Sequence, residues 1–160
     1  MLTHTFGPVY DSGSRILILG TFPSVASRKE GFYYGNPRNR FWQVAAGVFG
    51  VDIPETTGEK TGFLLSAGIA LWDAVLSCEI AGSADSKIKN IITNDLNPVL
   101  SGCRIERIYA NGKTAGKLYN RHMLPGTGRD IIILPSTSPA NASWTLKHLT
   151  DEWSRIRRRI

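Results

Sequence analysis

Arg15-Ile16-Leu17-Ile18-Leu19, running straight into Gly20-Thr21-Phe22-Pro23-Ser24, is the segment from which the architecture can be read. Its apolar residues are continuous rather than alternating, the pattern of a strand buried on both faces of a parallel sheet. Three further runs share that character: Ile69 to Trp72, Ile105 to Tyr109 and Asp130 to Leu134. Helical segments fall between them. Phe41 to Phe49 follows Asn39 as a candidate N-cap, Glu55 to Ser66 follows Pro54 and ends near Gly68, and Lys113 to His122 follows the third strand. In the last helix Ala142, Leu146, Leu149, Trp153, Ile156 and Ile160 recur at steps of three and four, one apolar face, with Asn141 as N-cap and Pro139 marking the turn before it. The order predicts an α/β fold: a three-layer α/β/α domain around a central, mostly parallel four-stranded sheet, with binding where loops leave the carboxyl ends of the strands. Ile80 to Asp95 is less regular, and its Gly, Ser, Asp and Asn residues read as a packed functional loop or a long connection.

With 160 residues, 42% of them hydrophobic, the chain can fill one core, so a single domain over residues 1–160 is expected. The longest apolar runs are far shorter than the roughly 20 residues of a membrane helix. The N-terminus carries His4, Pro8 and Asp11 in place of a basic and then apolar leader. A cytoplasmic protein without a membrane partner is therefore expected; a monomer is expected as well. Two cysteines, Cys78 and Cys103, cannot supply the four thiolates of an ordinary iron–sulfur cluster, and no Cys/His spacing suits zinc, so neither metal nor other cofactor is expected. Lys and Arg number 19 against 13 for Asp and Glu, a net +6 that favours an anionic partner such as nucleic acid. Part of this excess, Arg155, Arg157, Arg158 and Arg159, reads first as a solvated helix end and only second as a phosphate clamp.

Two strand ends carry unusual loops. After the first strand, the small Gly20 lets a ligand approach the backbone, Phe32-Tyr33-Tyr34 offers flat surfaces for a base, and Ser24, Asn36 and Asn39 add neutral hydrogen-bonding groups. Arg38 and Arg40 can meet phosphates. After the fourth strand, Pro135-Ser136-Thr137-Ser138-Pro139-Ala140-Asn141 brings small hydroxyls and amides to a helix start, a composition suited to phosphate oxygens. Between them, Asn111-Gly112-Lys113-Thr114 lies at another strand-to-helix turn, so three phosphate-compatible turns on one edge imply a groove for a polyanion. Each feature also has a plainer structural reading. Asn39 can be simply a helix cap, Phe41 and Trp42 core, and Ser136 to Ser138 an ST-turn. Gly112-Lys113-Thr114 is not a P-loop, because Arg107 stands where that motif needs Gly.

Together these residues resemble a known family. Gly20 through Trp42 is similar to the first motif region of the mismatch-specific uracil/thymine DNA glycosylases: Gly-x-x-Pro, a Ser, an aromatic cluster, then Pro37-Arg38-Asn39-Arg40-Phe41-Trp42. Gly112-Lys113 resembles that family's Gly-Lys turn, and Pro135-Ser136 the Pro-Ser of its second motif. The details Gly20 to Ser24, Tyr33 to Asn39, Leu71-Trp72-Asp73 and Asp85-Ser86-x-Ile88-Lys89-Asn90 look most like the hypoxanthine-DNA glycosylase branch of the uracil-DNA glycosylase superfamily. The resemblance implies that Asn39 is the catalytic residue. It also implies weak uracil excision, since Phe22 stands where the mismatch-specific enzymes carry Asn and the efficient uracil enzymes Asp, and Leu134 where the latter carry His.

N-glycosidic hydrolysis builds positive charge on the deoxyribose and negative charge on the departing base, so such a site must stabilise both. The nucleotide must first leave the stack, which costs least for a mispaired base. The expected assignment is Asn39 orienting water, with Gly20, Thr21, Phe22, Tyr34 and Asn36 forming the base pocket. Ser24, Ser27, Arg38, Asn111, Gly112, Lys113, Ser136, Thr137, Ser138 and Asn141 would hold DNA that contains damaged or deaminated bases. A mismatch-specific uracil/thymine glycosylase is the alternative within the family. A non-catalytic nucleic-acid-binding module would use the same charge and aromatics, and a nucleoside hydrolase would break the same bond but usually uses carboxylate-rich metal chemistry.

Overall fold

The computed structural model describes residues 1–80 and 88–157. Four parallel strands form its main sheet: β2 (Ile16–Gly20), β3 (Ile69–Asp73), β6 (Arg107–Asn111) and β7 (Ile131–Leu134), in the order β3-β2-β6-β7. Leu17, Ile18 and Leu19 of the interior strand β2 are fully buried, as are Ile69, Ala70 and Leu71 of β3, which is why these strands read as continuous apolar runs. The most aliphatic run of all, β7, lies at an edge, where Ile133 is 40% exposed. Helices flank the sheet: α3 (Thr57–Ser66) lies against β3, and α5 (Lys113–Leu118) against β6 and β7. Helix α2 (Phe41–Phe49) packs on α7 (Leu146–Trp153), with Phe41 edge-on to Trp153. The α/β architecture with its parallel four-stranded sheet is the one the sequence implied.

A second, antiparallel sheet departs from that expectation. It joins β1 (Leu2–Thr3), β4 (Val75–Glu79) and β5 (Lys89–Thr93) in the order β1-β4-β5. Thus the later part of Ile80 to Asp95 is not an irregular connection. Lys89-Asn90-Ile91-Ile92-Thr93 is solvated on much of its surface, so it has no alternating apolar face from which a strand could be inferred. Residues 81–87, including Asp85 and Ser86, lie outside the described residues, as do Arg158, Arg159 and Ile160.

Three helix boundaries also differ. Helix α3 starts at Thr57 rather than Glu55, because Thr56 and Glu59 form a reciprocal capping box. Helix α7 starts at Leu146 rather than Ala142: Thr145 caps it by accepting from His148 N at 3.1 Å, while Asn141 donates to the Ser136 carbonyl instead. Its apolar face survives in the buried Leu149 and Trp153 and continues into Ile156 of the 3-10 turn Ser154–Arg157 that follows. The helix after β6 changes its hydrogen bonding at Tyr119–Met123, a π-helical turn, before a short α6 (Leu124–Thr127). Two short helices without a strong periodic signal, α1 (Val25–Glu30) and α4 (Asn97–Gly102), are also present.

Candidate active site

The loops leaving β2, β6 and β7 meet around a cleft of about 880 Å³ at the carboxyl end of the sheet. Gly112, at φ +97°, begins α5, and a Cβ there would press on Ser136 Cβ at 3.0 Å, so a glycine is what lets the loops after β6 and β7 approach. On the other side Tyr34 adopts a left-handed φ of +52°, a conformation that costs a non-glycine residue energy and sets its ring against Phe41, centroids 4.2 Å apart and planes 16° from parallel.

A hydrogen-bond chain ties the three loops together. Asn111 Nδ2 donates to the Tyr34 hydroxyl at 3.1 Å and to Thr137 Oγ1 at 3.0 Å. Asn111 Oδ1 accepts from Thr137 N at 3.0 Å, and the Thr137 hydroxyl donates onward to Asn39 Oδ1 at 2.8 Å. Asn39 Oδ1 also accepts from Phe41 N at 3.0 Å. Both lone pairs of that oxygen are therefore engaged, the amide orientation is fixed, and Asn39 brings to the cleft wall an Nδ2 that no described residue engages. Asn39 thus combines the two roles considered for it: it satisfies a helix-start N–H, though from one residue before the formal cap position, Arg40, and it lines the cleft.

Most expected site residues converge here. Gly20, Thr21, Phe22, Ser24, Ser27, Tyr34, Asn36, Asn39, Asn111, Lys113, Ser136, Thr137, Ser138 and Asn141 all line the cleft, whereas Arg38 and Gly112 do not. Several of these are occupied inside the protein. Ser27 is 1% exposed, and its hydroxyl accepts from Gly35 N and Ser24 Oγ. Ser24 Oγ caps α1. Thr137 is fully buried and Asn111 nearly so, which makes them supports of the wall rather than phosphate contacts. Arg40 is not free for phosphates either: its guanidinium donates to the carbonyls of Ser138, Asn141 and Trp144, and its backbone N–H to that of Thr137. Lys113 is an exposed cation at the cleft.

Two groups at the cleft floor had no assigned role. Asp73, at the end of β3, lines the cleft and takes His4 Nε2 on Oδ2 at 2.8 Å. An acidic residue ending a buried strand is a signal available in the sequence; its histidine partner, 69 residues away, is not. Beside them Tyr33 donates to the Gly7 carbonyl at 2.7 Å, and burial first, then the Asp73 charge, push its hydroxyl pKa well above the ordinary tyrosine range. Among the described residues no group of three or more His, Cys, Asp or Glu could hold a metal ion, and no helix is long and apolar enough to cross a membrane.

Residues 8–157 match the sequence profile of the uracil DNA glycosylase superfamily. The chain belongs to the uracil DNA glycosylase superfamily. Two curated proteins from Methanosarcina species are similar over nearly their full length. The Methanosarcina acetivorans protein named hypoxanthine DNA glycosylase is 34% identical over 158 residues, 98% of each chain. The protein of that name from Methanosarcina barkeri is 31% identical over 156 residues, 93% of this chain and 94% of the relative. The solution NMR structure of a candidate uracil DNA glycosylase from Methanosarcina acetivorans superposes with a TM-score of 0.79 at 31% identity, covering 96% of this chain and 97% of the other.

Proposed function

We propose that this chain is a monofunctional DNA glycosylase that hydrolyses the N-glycosidic bond of deaminated nucleotides, with hypoxanthine as its main base. The observation that carries the reading is the fixed Asn39 amide: its oxygen holds Phe41 N and Thr137 Oγ1, so its cleft-side group is a donor. Negative charge develops on the departing base, and a preorganised N–H donor stabilises that charge more than it stabilises the bound nucleotide. Asn39 in this reading steadies the leaving base, and water enters without bonding to the filled Oδ1. Tyr34, supported from behind by Phe41, provides a stacking face for the extruded base.

Lys113, Ser136 and Ser138 bind phosphates flanking the lesion, and no covalent nucleophile is required. Uracil is a poorer substrate here, because Phe22 and Leu134, both buried, offer no polar group at positions where the efficient uracil enzymes have one. The names of the two similar archaeal proteins favour hypoxanthine. The testing experiment presents oligonucleotides bearing hypoxanthine, uracil, xanthine or ethenoadenine and scores abasic sites in single turnover, with borohydride added in parallel. Hypoxanthine release without a trapped protein–DNA adduct is expected. Binding with no base release from any of the four would reduce the chain to a non-catalytic module.

A further inference from the structure

Gly20 and Asp73 are the last residues of neighbouring strands and stand in register across them. Asp73 is 4% exposed. His4 holds one carboxylate oxygen, Oδ2, while no hydrogen bond among the described residues engages Oδ1. That second oxygen lies over Gly20: a Cβ there would collide with Oδ1 and come within 3.0 Å of the Tyr34 hydroxyl. The missing side chain of Gly20 is therefore what leaves a carboxylate oxygen open at the cleft floor, beside the ring assigned to base stacking.

His4 is placed for this one contact. Strand β1 pairs with β4 through Leu2 and Thr3, and His4 N donates to Leu76 O at 2.6 Å, which carries the ring behind Asp73. Phe6, Phe22 and Tyr33 enclose it, with centroids 4.5, 6.0 and 6.0 Å away. Its Nδ1 is buried and meets no partner among the described residues, so within them the ring's hydrogen bonding is directed at Asp73.

A carboxylate oxygen carries only lone pairs. Deamination changes the base in the way such an oxygen detects: N1 of adenine is a bare acceptor, whereas N1 of hypoxanthine bears hydrogen, and N3 of cytosine and uracil differ likewise. We propose that Asp73, positioned by His4, is the specificity-determining residue that accepts the ring N–H of a lactam base and repels the bare ring nitrogen of its amino parent. This inference rests on the reading of the chain as a base-releasing enzyme. A site built around a buried acceptor rejects a ligand lacking the matching donor, because the acceptor then loses water without gaining a partner. The amide donor of Asn39 complements it, since a lactam also presents a carbonyl oxygen.

The test compares the affinity of wild-type protein, D73N, H4A and H4Q for uncleavable 2′-fluoro oligonucleotides carrying either hypoxanthine or unsubstituted purine, which lacks the N1 hydrogen. Hypoxanthine release from the cleavable oligonucleotide and thermal melting are measured alongside. Wild type is expected to prefer hypoxanthine, and D73N to lose that preference by ~10- to 100-fold, because a carboxamide can offer N–H to a bare ring nitrogen. H4A should erode the preference in the same direction, and H4Q, which keeps a donor for Oδ2, should restore part of it. A merely structural pair would shift melting and leave the preference unmoved. Equal wild-type affinity for the two bases, or a folded D73N with wild-type preference, overturns the inference while leaving base release standing. A wild-type protein that releases no base overturns the catalytic reading and this inference with it.

Discussion

The Thr137 hydroxyl donates to Asn39 Oδ1 across 2.8 Å, joining the loop after β7 to the residues that open α2. A buried threonine thereby decides which end of a cleft-side amide faces the ligand. The amide oxygen already accepts from Phe41 N, so the threonine fills its second lone pair and leaves the donor end toward the cleft.

Substitution at Asn39 separates its capping contact from its chemistry. Asn39→Asp keeps an oxygen for Phe41 N but replaces the donor by a second acceptor, so melting should stay within about 1 kcal/mol of wild type. Hypoxanthine release should fall by on the order of 100-fold or more, since the new charge faces the departing anion. Asn39→Ala should lose both, with ~0.5–2 kcal/mol of stability and a comparable rate. Single-turnover rates beside melting curves decide the matter, and wild-type turnover by folded Asn39→Asp would reduce the residue to a cap.

Thr137→Val tests the support behind it. The change strips one donor from Asn39 Oδ1 and one acceptor from Asn111 Nδ2 in a fully buried place, at a cost of about 1–3 kcal/mol. With its amide free to turn, Asn39 should lose part of its effect, and release should slow ~10-fold at temperatures where the variant is fully folded. Thr137→Ser keeps the hydroxyl and should recover most of the rate. Equal rates for valine and serine variants would show that the amide needs no such anchor.

The contrast between what composition implies and what the site contains lies in side-chain partners. Strands β2, β3 and β6 were legible because their faces are covered, which leaves a nearly unbroken apolar run in the sequence, whereas β7 carries such a run although it lies half-buried at an edge. The cleft loops were legible because Gly, Pro, Ser and Asn cluster where strands end. Which of those residues face a ligand was not. Asn111 and Thr137 have the composition of a phosphate grip yet bond each other's loops, Ser27 instead accepts from Gly35 N within its own loop, and Arg40 has the charge of a phosphate grip yet holds three carbonyls. The His4–Asp73 contact spans 69 residues and depends on a two-residue strand, too short for any period to register.

Tyr33 predicts an alkaline signature. Its hydroxyl has a folded pKa raised above the ordinary tyrosine value of 10.0, chiefly by burial and next by the Asp73 charge. Below pH 10 the group is protonated folded and unfolded alike; above it the unfolded chain releases the proton and the folded chain does not. Its stabilising contribution is therefore present below about pH 10 and is lost as pH rises beyond that. Tyr33→Phe should be less stable at neutral pH by about 0.5–1.5 kcal/mol, for the lost bond to Gly7 O, yet should decline less steeply between pH 9.5 and 11. Parallel decline of the two proteins in denaturant melts across that range would contradict it.

Arg40 and Lys113 carry equal charges and should fail differently. Lys113 is exposed at the cleft and takes part, in the proposed reading, in phosphate binding. Each neutralised phosphate releases counterions, so Lys113→Ala should flatten the plot of log affinity against log salt by roughly 0.9 and leave melting nearly unchanged. Arg40 instead fixes the backbone of Ser138, Asn141 and Trp144 through a planar fork that lysine cannot reproduce. Arg40→Lys should therefore lower the melting temperature and weaken DNA binding at every salt concentration, with the slope kept. It should also slow hypoxanthine release on saturated enzyme, because the loop that carries Thr137 loses its anchor and the Asn39 amide loses its support in turn. Titrations of an undamaged duplex from low to moderate salt read both variants. If Arg40→Lys flattened the slope as Lys113→Ala does while melting like wild type, Arg40 would be a phosphate ligand that reorients on binding, and its carbonyl contacts would describe only the free protein.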